Sequence, residues 1–524
     1  MGASSIPSSL RLGALCLLAT VAADASAQVD RFQTISALDG VPALADGDRF
    51  GVAAATLGDL DGDGTVEVAV GAYGDAEGRG AVWLLSLAPD GSVRVARPIR
   101  LDGTEPGDAF GTALAALGDL DGDGTPELAV GADRDDDGGE DRGAVWVLSL
   151  GAAGDVRAAR KISATAGGLT DVPADGDLFG HSAAALGDLD GDGVPDLAVG
   201  ADDADDGGPN RGAVWVLFLA ADGSVRQSQR ISDTAGGFEG ALDDGDLFGQ
   251  AVAGLGDLDA DGTPDLAVAA SLDDDGGDGQ GAVWVLFLRP DGTVRQHQKI
   301  SATAGGFSGA LDPLDVFGSS LVATGDLDGD GTPDLAVGAN RDDDGGPNRG
   351  AGWLLFLRSD GTARAHQKLS ATAGGAVGPL ADGDEWNPTA ALGDLDGDGA
   401  ADLLFGSRLS DLGGPTRGAA RVLFTGTAVA DEARPPASGL VLGPPFPSPT
   451  RGRSEVRFQL DAPAWVTVRV VDALGRVLAT LVDGDRPAGS HRVALDGSGW
   501  AAGVVFVRAE VDGASSSRPL VVVR

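Results

Sequence analysis

Short runs that alternate small apolar and polar residues recur along the chain, broken at near-regular intervals by loops of Gly and Asp. One copy shows the grammar: "SAAALG" (182–187), the acidic loop "DLDGDGVPD" (188–196), "LAVGA" (197–201), "DDADDGGPNRG" (202–212), "AVWVLFL" (213–219), a turn at "AADGS" (220–224) and "VRQSQRIS" (225–232). Period-two alternation rich in β-branched residues and bounded by Gly, Pro, Asn and Asp marks strands. Each unit therefore predicts four strands, A to D, with a Phe-Gly pair ahead of strand A. The acidic loops begin at Asp59, Asp119, Asp188, Asp257, Asp326 and Asp394, at spacings of 60, 69, 69, 69 and 68 residues. A repeat of this kind signals a solenoid, propeller or array.

A lone four-stranded sheet leaves two faces and two edges unsatisfied, so six such units must bury one another. Radial packing suits the residues: small side chains at Ala53 to Ala55 and Ala183 to Ala185 fit a crowded axis, and Trp83, Trp146, Trp215, Trp284 and Trp353 of strand C fit the wider gaps between blades. The sixth unit ends after "RGAARVLF" (417–424) without a strand D, while "DRFQTISA" (30–37) precedes the first Phe-Gly and repeats the strand D pattern. The expected fold is all-β: a six-bladed β-propeller, with seven blades as the alternative, closed by the N-terminal strand. A small Ig-like antiparallel β-sandwich is expected to follow it.

The chain has 524 residues and a net charge of −43. Residues 440–524 carry ten Arg against eight acids and residues 1–27 sum to zero, which leaves −45 on residues 28–439. Such a field repels nucleic acid and anionic lipid and attracts divalent cations or basic partners. The single cysteine, Cys16, lies in the apolar run of a predicted signal peptide over residues 1–27, which ends in Ala25-Ser26-Ala27. The exported chain would then have no disulfide, and nothing beyond residue 27 offers the roughly 18 apolar residues of a membrane helix.

The acidic loops supply candidate chemistry. Carboxylates stand at positions 1, 3, 5 and 9 of each: Asp59, Asp61, Asp63 and Glu67; Asp119, Asp121, Asp123 and Glu127; Asp188, Asp190, Asp192 and Asp196; Asp257, Asp259, Asp261 and Asp265; Asp326, Asp328, Asp330 and Asp334; Asp394, Asp396, Asp398 and Asp402. Alternating Asp side chains can converge, Gly at position 6 permits a sharp turn, and hard oxygens suit Ca²⁺. An EF-hand needs Glu at position 12, where these loops have Val70, Val130 or Val199 inside strand B. A plain hairpin turn explains one Asp and one Gly per loop, but not four acids in six copies with no Lys or Arg among them. Up to six Ca²⁺ are expected as cofactors, which would bring −45 to −33.

These residues resemble the FG-GAP repeats of the integrin alpha-subunit propeller. The motif stands at Phe50-Gly51, Phe110-Gly111, Phe179-Gly180, Phe248-Gly249 and Phe317-Gly318, each followed by the acidic loop and a "VGA"-like strand end. The resemblance spans about residues 30–427. It departs where Asp133 and Asn340 replace the Pro of the motif, where Trp386-Asn387 replaces Phe-Gly, and in showing six units against the seven blades of integrins. It implies calcium hairpins on one face and ligand recognition on the opposite one, built from the B–C and D–A loops, where the unit lengths vary. Loops on a rigid scaffold commonly carry recognition. Arg79, Arg142 and Arg211 of the "RGAVW" stretch are expected to bond neighbouring acidic loops.

Catalysis is not expected. His181, His297, His366 and His491 show no nucleophile or acid partner in the sequence, and calcium ligation accounts for the carboxylate pairs that could otherwise suggest a glycosidase. After a Pro-rich linker (428–440), residues 441–524 alternate like a sandwich. They resemble the C-terminal sorting domain of bacterial type IX secretion at Pro444 to Phe446, Val471 to Arg476, Ala488 to His491, Gly503 to Arg508 and Arg524, with Val471 and Val505 in place of the family's Tyr. That resemblance implies passage across the outer membrane by the type IX machinery.

The sequence thus predicts a signal peptide (1–27), an FG-GAP propeller (28–427), a linker (428–440) and a sorting domain (441–524). The whole is a secreted or cell-surface binding or adhesion module for an extracellular protein or polysaccharide. A polysaccharide-active enzyme and a structural surface-layer component are the alternatives.

Overall fold

The computed structural model describes residues 28–426 and, in the tail, 441–442, 453–460, 464–471, 477–486, 489–496, 500, 503–511 and 514–522. The predicted signal peptide and linker lie outside the described residues. The chain divides into two compact units, one of Asp24–Ala428 and one that holds Val429–Arg524.

The larger unit opens with β1 (Gln28–Ser36). Four-stranded sheets follow in chain order: β2 to β5 (Ala54–Gly58, Val66–Ala72, Ala81–Leu87, Val93–Ile99), β6 to β9 (Leu114–Gly118, Glu127–Ala132, Ala144–Leu150, Val156–Ser163), and β10 to β13 (Ser182–Gly187, Asp196–Ala201, Ala213–Leu219, Val225–Ile231). Next come β14 to β17 (Phe248–Gly256, Asp265–Ala270, Ala282–Leu288, Val294–Ser301) and β18 to β21 (Phe317–Gly325, Asp334–Ala339, Ala351–Leu357, Ala363–Leu369). The sixth sheet takes β22 (Asn387–Gly393), β23 (Asp402–Ser407) and β24 (Ala419–Gly426), and its fourth strand is β1, paired antiparallel with β24 from Gln28 opposite Gly426 to Ser36 opposite Ala419. The N-terminal strand therefore completes the last blade.

Innermost strands touch in a closed cycle, β2 to β6, β10, β14, β18, β22 and back to β2. Burial follows the same cycle. Each of six apolar clusters joins two adjacent sheets: Trp353 of the fifth blade shares one with Val285 and Phe287 of the fourth, and Trp83 of the first shares one with Phe424 and Leu404 of the sixth. The core is the set of gaps between blades, so no blade is a folding unit by itself.

The glycines of the repeat explain how closely blades approach. Gly51 N–H donates to Gly71 O at 2.9 Å within the first blade, and a Cβ on Gly71 would lie 2.0 Å from Gly111 O of the second. At the seam a Cβ on Gly406 would lie 1.8 Å from Gly51 O. Phe50, Phe110, Phe179, Phe248 and Phe317 are fully buried beside these contacts, and Trp386 takes the same place in the sixth unit.

In the tail, β25 (Val441–Leu442), β26 (Arg453–Leu460) and β29 (Gly489–Asp496) form one sheet, and β27 (Ala464–Val471), β28 (Val477–Arg486), β30 (Gly503–Val511) and β31 (Ala514–Val522) a second. Inward residues of both, among them Val456, Phe458, Val468, Val482, Leu495 and Val507, share one core. His491 stacks on Phe458 with ring centroids 4.9 Å apart. Pro444 to Phe446, residues 472–476, Ala488 and Arg524 lie outside the described residues.

Candidate metal hairpins and the opposite face

Every acidic loop is a β-hairpin connecting the first two strands of a blade, and its first Asp organises the turn. In the third blade, Asp188 Oδ1 accepts the N–H groups of Gly191 and Asp192 at 2.8 and 3.0 Å, and Oδ2 accepts that of Gly193 at 2.8 Å. Gly191 and Gly193 hold φ of +78° and +91°, a region open mainly to glycine. Asp196 at position 9 is buried. It accepts Leu189 N–H at 2.9 Å and Leu219 N–H at 3.1 Å, tying the hairpin to the end of β12. Asp394 and Asp402 repeat both patterns in the sixth blade.

Positions 1, 3 and 9 converge. In Asp59, Asp61 and Glu67, one carboxylate oxygen from each lies within 4.8 Å of the others, and the same holds for Asp119, Asp121 and Glu127, for Asp188, Asp190 and Asp196, for Asp257, Asp259 and Asp265, and for Asp326, Asp328 and Asp334. Position 5 behaves differently. Asp63 Oδ1 accepts both the N–H and the hydroxyl of Thr65, at 2.8 and 2.5 Å, which holds its carboxyl below the usual carboxylate range. Asp192 Oδ1 accepts Val194 N–H at 2.9 Å. One oxygen at position 5 is thus committed to the turn.

The electrostatics ask for a cation. Burial, with the neighbouring loop acids adding to it against the backbone hydrogen bonds, pushes Asp196 and Asp402 up to about 6 and Asp265 and Asp334 up to about 7. Two buried loop oxygens, Glu127 Oε1 and Asp259 Oδ1, have no hydrogen-bond partner. Hard oxygens, three per hairpin, gathered and partly unpartnered, fit a divalent cation of the Ca²⁺ type, which would supply the charge that lets all of them ionise. Arginines from the outer strands meet part of this need: Arg157, Arg226 and Arg295 reach Asp123, Asp190 and Asp259 at 2.9, 2.9 and 2.5 Å, and Arg364 bonds Asp328.

The B–C and D–A loops gather at the other end of the strands. The expectation for the "RGAVW" arginines holds for Arg142, 2.6 Å from Asp175, and for Arg211, 2.8 Å from both Asp233 and Asp244, whereas Arg79 donates to Thr104 O. The three lysines of the chain share a role the sequence did not reveal. Lys161, Lys299 and Lys368 each lie over the Trp of their own blade and bridge two acids of its B–C loop, Lys299 at 2.6 Å from Asp273 and 2.7 Å from Asp275.

A cavity of about 430 Å³ opens on the axis at this end, lined by residues of all six units. The sequence offered His181 no acid partner, and here the structure corrects the reading. Asp133 Oδ2, from the second blade, lies 2.9 Å from His181 Nδ1, and Asp202 Oδ1, from the same third blade as the histidine, lies 3.7 Å away, contacts that local spacing does not reveal. Burial opposes the charged imidazole, but the two carboxylates outweigh it and raise His181 to about 9. It is protonated at neutral pH and so has no lone pair with which to act as a general base. His297 and His366 pack on Trp284 and Trp353, and burial lowers both.

Comparison with known proteins agrees with this geometry. Residues 50–85, 110–148, 179–217, 248–286 and 317–355 match the FG-GAP repeat. Five of the six blades thus carry a segment that matches the FG-GAP repeat. The sixth, with Trp386-Asn387 at the motif, lies outside the matched FG-GAP segments yet folds like the others. Integrin alpha-PS2 of Drosophila melanogaster is 32% identical over 234 residues, which are 43% of this chain and 15% of that protein. Integrin alpha-10 of Homo sapiens is 35% identical over 216 residues, 40% of this chain and 16% of that protein. The chain therefore spans about a sixth of the length of these relatives. Among solved structures, PorZ, described as a surface component of the type-IX secretion system of Porphyromonas gingivalis, aligns over 92% of this chain and 60% of its own at 15% identity, with a TM-score of 0.38 that is too low to bear on fold or function. The FG-GAP propeller has no helix among its described residues long and apolar enough to cross a membrane.

Proposed function

We propose that this protein is a secreted or surface-displayed binding module, an FG-GAP propeller held together by calcium and presenting its B–C and D–A loops to an extracellular protein or polysaccharide. The observation that carries the reading is the separation of faces. Repeated acidic hairpins occupy one end of the blades, and unit-specific loops around an axial cavity occupy the other. The likeness of the repeats to those of integrin alpha chains supports binding or adhesion.

The residues proposed as calcium ligands are the position 1, 3 and 9 carboxylates, with the second oxygen of position 5, which an arginine meets in four of the hairpins, completing each set. Stapling by calcium stands in for disulfides in a chain whose one cysteine lies in the proposed signal peptide. The C-terminal unit, proposed to span 441–524, is read as a type IX sorting domain on its "AGSH" and "GVVFVR" segments, which would take the propeller across the outer membrane.

Capture tests the reading. Full chain is immobilised, exposed to cell-envelope and polysaccharide extracts with calcium or with chelator, and the retained material is identified. Retention that requires calcium is expected. A folded propeller that retains nothing contradicts it, and self-association alone would favour a structural surface layer.

A further inference from the structure

The blades differ from one another at two rings of positions around the axis. The position that follows the "VGA" strand end is Tyr73, Asp133, Asp202, Ser271, Asn340 and Arg408 in turn. The position after Phe-Gly is equally varied: Val52, Thr112, His181, Gln250, Ser319 and Pro388. All of these residues except Asp202 line the axial cavity, whose volume of about 430 Å³ falls within the roughly 300–1,000 Å³ of small-molecule sites. A spacer that only filled the axis could repeat one small residue six times, as the neighbouring alanines nearly do.

Polar atoms in this cavity lack partners within the protein. Asp133 Oδ1, Ser271 Oγ and Asn340 Oδ1 belong to residues at most 8% exposed, and each is without a hydrogen bond, as are Gln250 Oε1 and Ser320 Oγ. Leaving a buried polar group unsatisfied costs about 1–3 kcal/mol, so several at one site point to a bound hydrogen-bonding molecule. Most of these atoms are acceptors, which calls for a ligand rich in hydroxyls.

The charge at the mouth adds the second half. His181 is committed to Asp133 and Asp202, and Arg408 lies 2.7 Å from Glu385. Arg134 and Arg341 are exposed on the cavity lining and, among the described residues, have no ion-pair partner. In a chain of net charge −43, where acids claim most of the cations, an uncommitted guanidinium group on either side of one opening offers a partner to a carboxylate. The remaining acids of the surface are screened over about 8 Å at physiological salt.

We propose that the axial cavity binds a uronate, the carboxylated sugar unit of an acidic polysaccharide, with Arg134 or Arg341, which stand on opposite blades of the ring, taking the carboxylate and Asp133, Gln250, Ser271 and Asn340 the hydroxyls. This rests on the binding-module reading and narrows its ligand class. Calorimetry on the full chain in calcium, with galacturonate, digalacturonate and galactose as probes, tests it. Galacturonate and its dimer bind at least about tenfold more tightly than galactose, the worth of one charge-assisted contact. The double variant R134Q/R341Q, altered only at exposed side chains, loses that preference, and S271A weakens all three sugars. No heat from either uronate with folded protein, or an undiminished preference in R134Q/R341Q, overturns the proposal. Envelope polysaccharide retained equally by wild type and R134Q/R341Q would overturn it while leaving the binding module standing, whereas retention of nothing removes both.

Discussion

Arg226 Nη2 lies 2.6 Å from Asp192 Oδ2 and 2.9 Å from Asp190 Oδ2, so a strand β13 guanidinium sits at the mouth of the acidic hairpin of its own blade. Arg295 meets Asp259 and Asp261 in the same way at 2.5 and 2.9 Å, and Arg31 of the closing strand reaches Asp396 at 2.8 Å. These arginines partly neutralise the hairpins and, as like charges, oppose a dication there.

Replacing Arg226 should therefore act in opposite directions on the two forms. R226Q is expected to lower the stability of the metal-free protein by about 1 kcal/mol or less, the usual worth of a partly exposed pair, and to raise calcium affinity at that hairpin. Melting of variant and wild type in chelator and in calcium reads both effects. An equal loss in the two conditions would mean that the arginine and the ion do not share the site.

His181 sets a pH dependence at the axis. Asp133 and Asp202 face it and Arg408 opposes them, and its value in the folded chain is about 9 against about 6.5 unfolded. Since the folded value is raised, the stabilisation is fully present below about pH 6.5 and is lost as pH rises through about 9, with stability falling over that interval by about 1–3 kcal/mol. Urea titrations at pH 6 and 9.5 should show the loss, and H181Q should flatten it. A wild type equally stable at both values contradicts the assignment.

Lys299 ties a buried acid into its loop. Asp273 is 3% exposed and Lys299 Nζ stands 2.6 Å from it, over the Trp284 ring. K299M removes the charge and strands the carboxylate, an expected cost of about 3–5 kcal/mol. K299M/D273N should recover most of that. Denaturant midpoints of the four proteins in the double-mutant cycle give the coupling, and additive losses would show that the pair is not the cause.

The seam between first and last blades has no room for a methyl group. Because a Cβ at Gly406 would sit 1.8 Å from Gly51 O, G406A should lose on the order of 3 kcal/mol or fail to close. Ala269 holds the equivalent place in the fourth blade, beside Gly318 of the fifth, where a Cβ built on that glycine would lie 3.0 Å from the methyl of Ala269. Wild-type stability in G406A would mean the seam can relax as the fourth blade does.

How much of this was legible in the sequence depends on how far apart the partners are. The strands, the closing role of residues 30–37 and the placing of Trp353 between blades follow from local alternation and from the register of six copies. Convergence of Asp188, Asp190 and Asp196 follows too, since nine residues of hairpin contain it. The turn-bound oxygen of Asp192 was not legible, because its contact is with the backbone of Val194. His181 beside Asp133, Lys299 over Trp284, and Arg226 at Asp190 were also missed, since those pairs join residues 15 or more positions apart and depend on which face each strand presents. The one signal available was that Lys161, Lys299 and Lys368 recur at the same place in their units.

Calcium is the central claim, and ion content is its most direct measure. Full-length protein dialysed to equilibrium against calcium and then against metal-free buffer is analysed for bound ion, and its melting is followed with and without chelator. About six calcium ions per chain at saturation, with a marked fall in melting temperature when they are removed, is the predicted result. Negligible bound calcium and a melting curve indifferent to chelator would contradict the account.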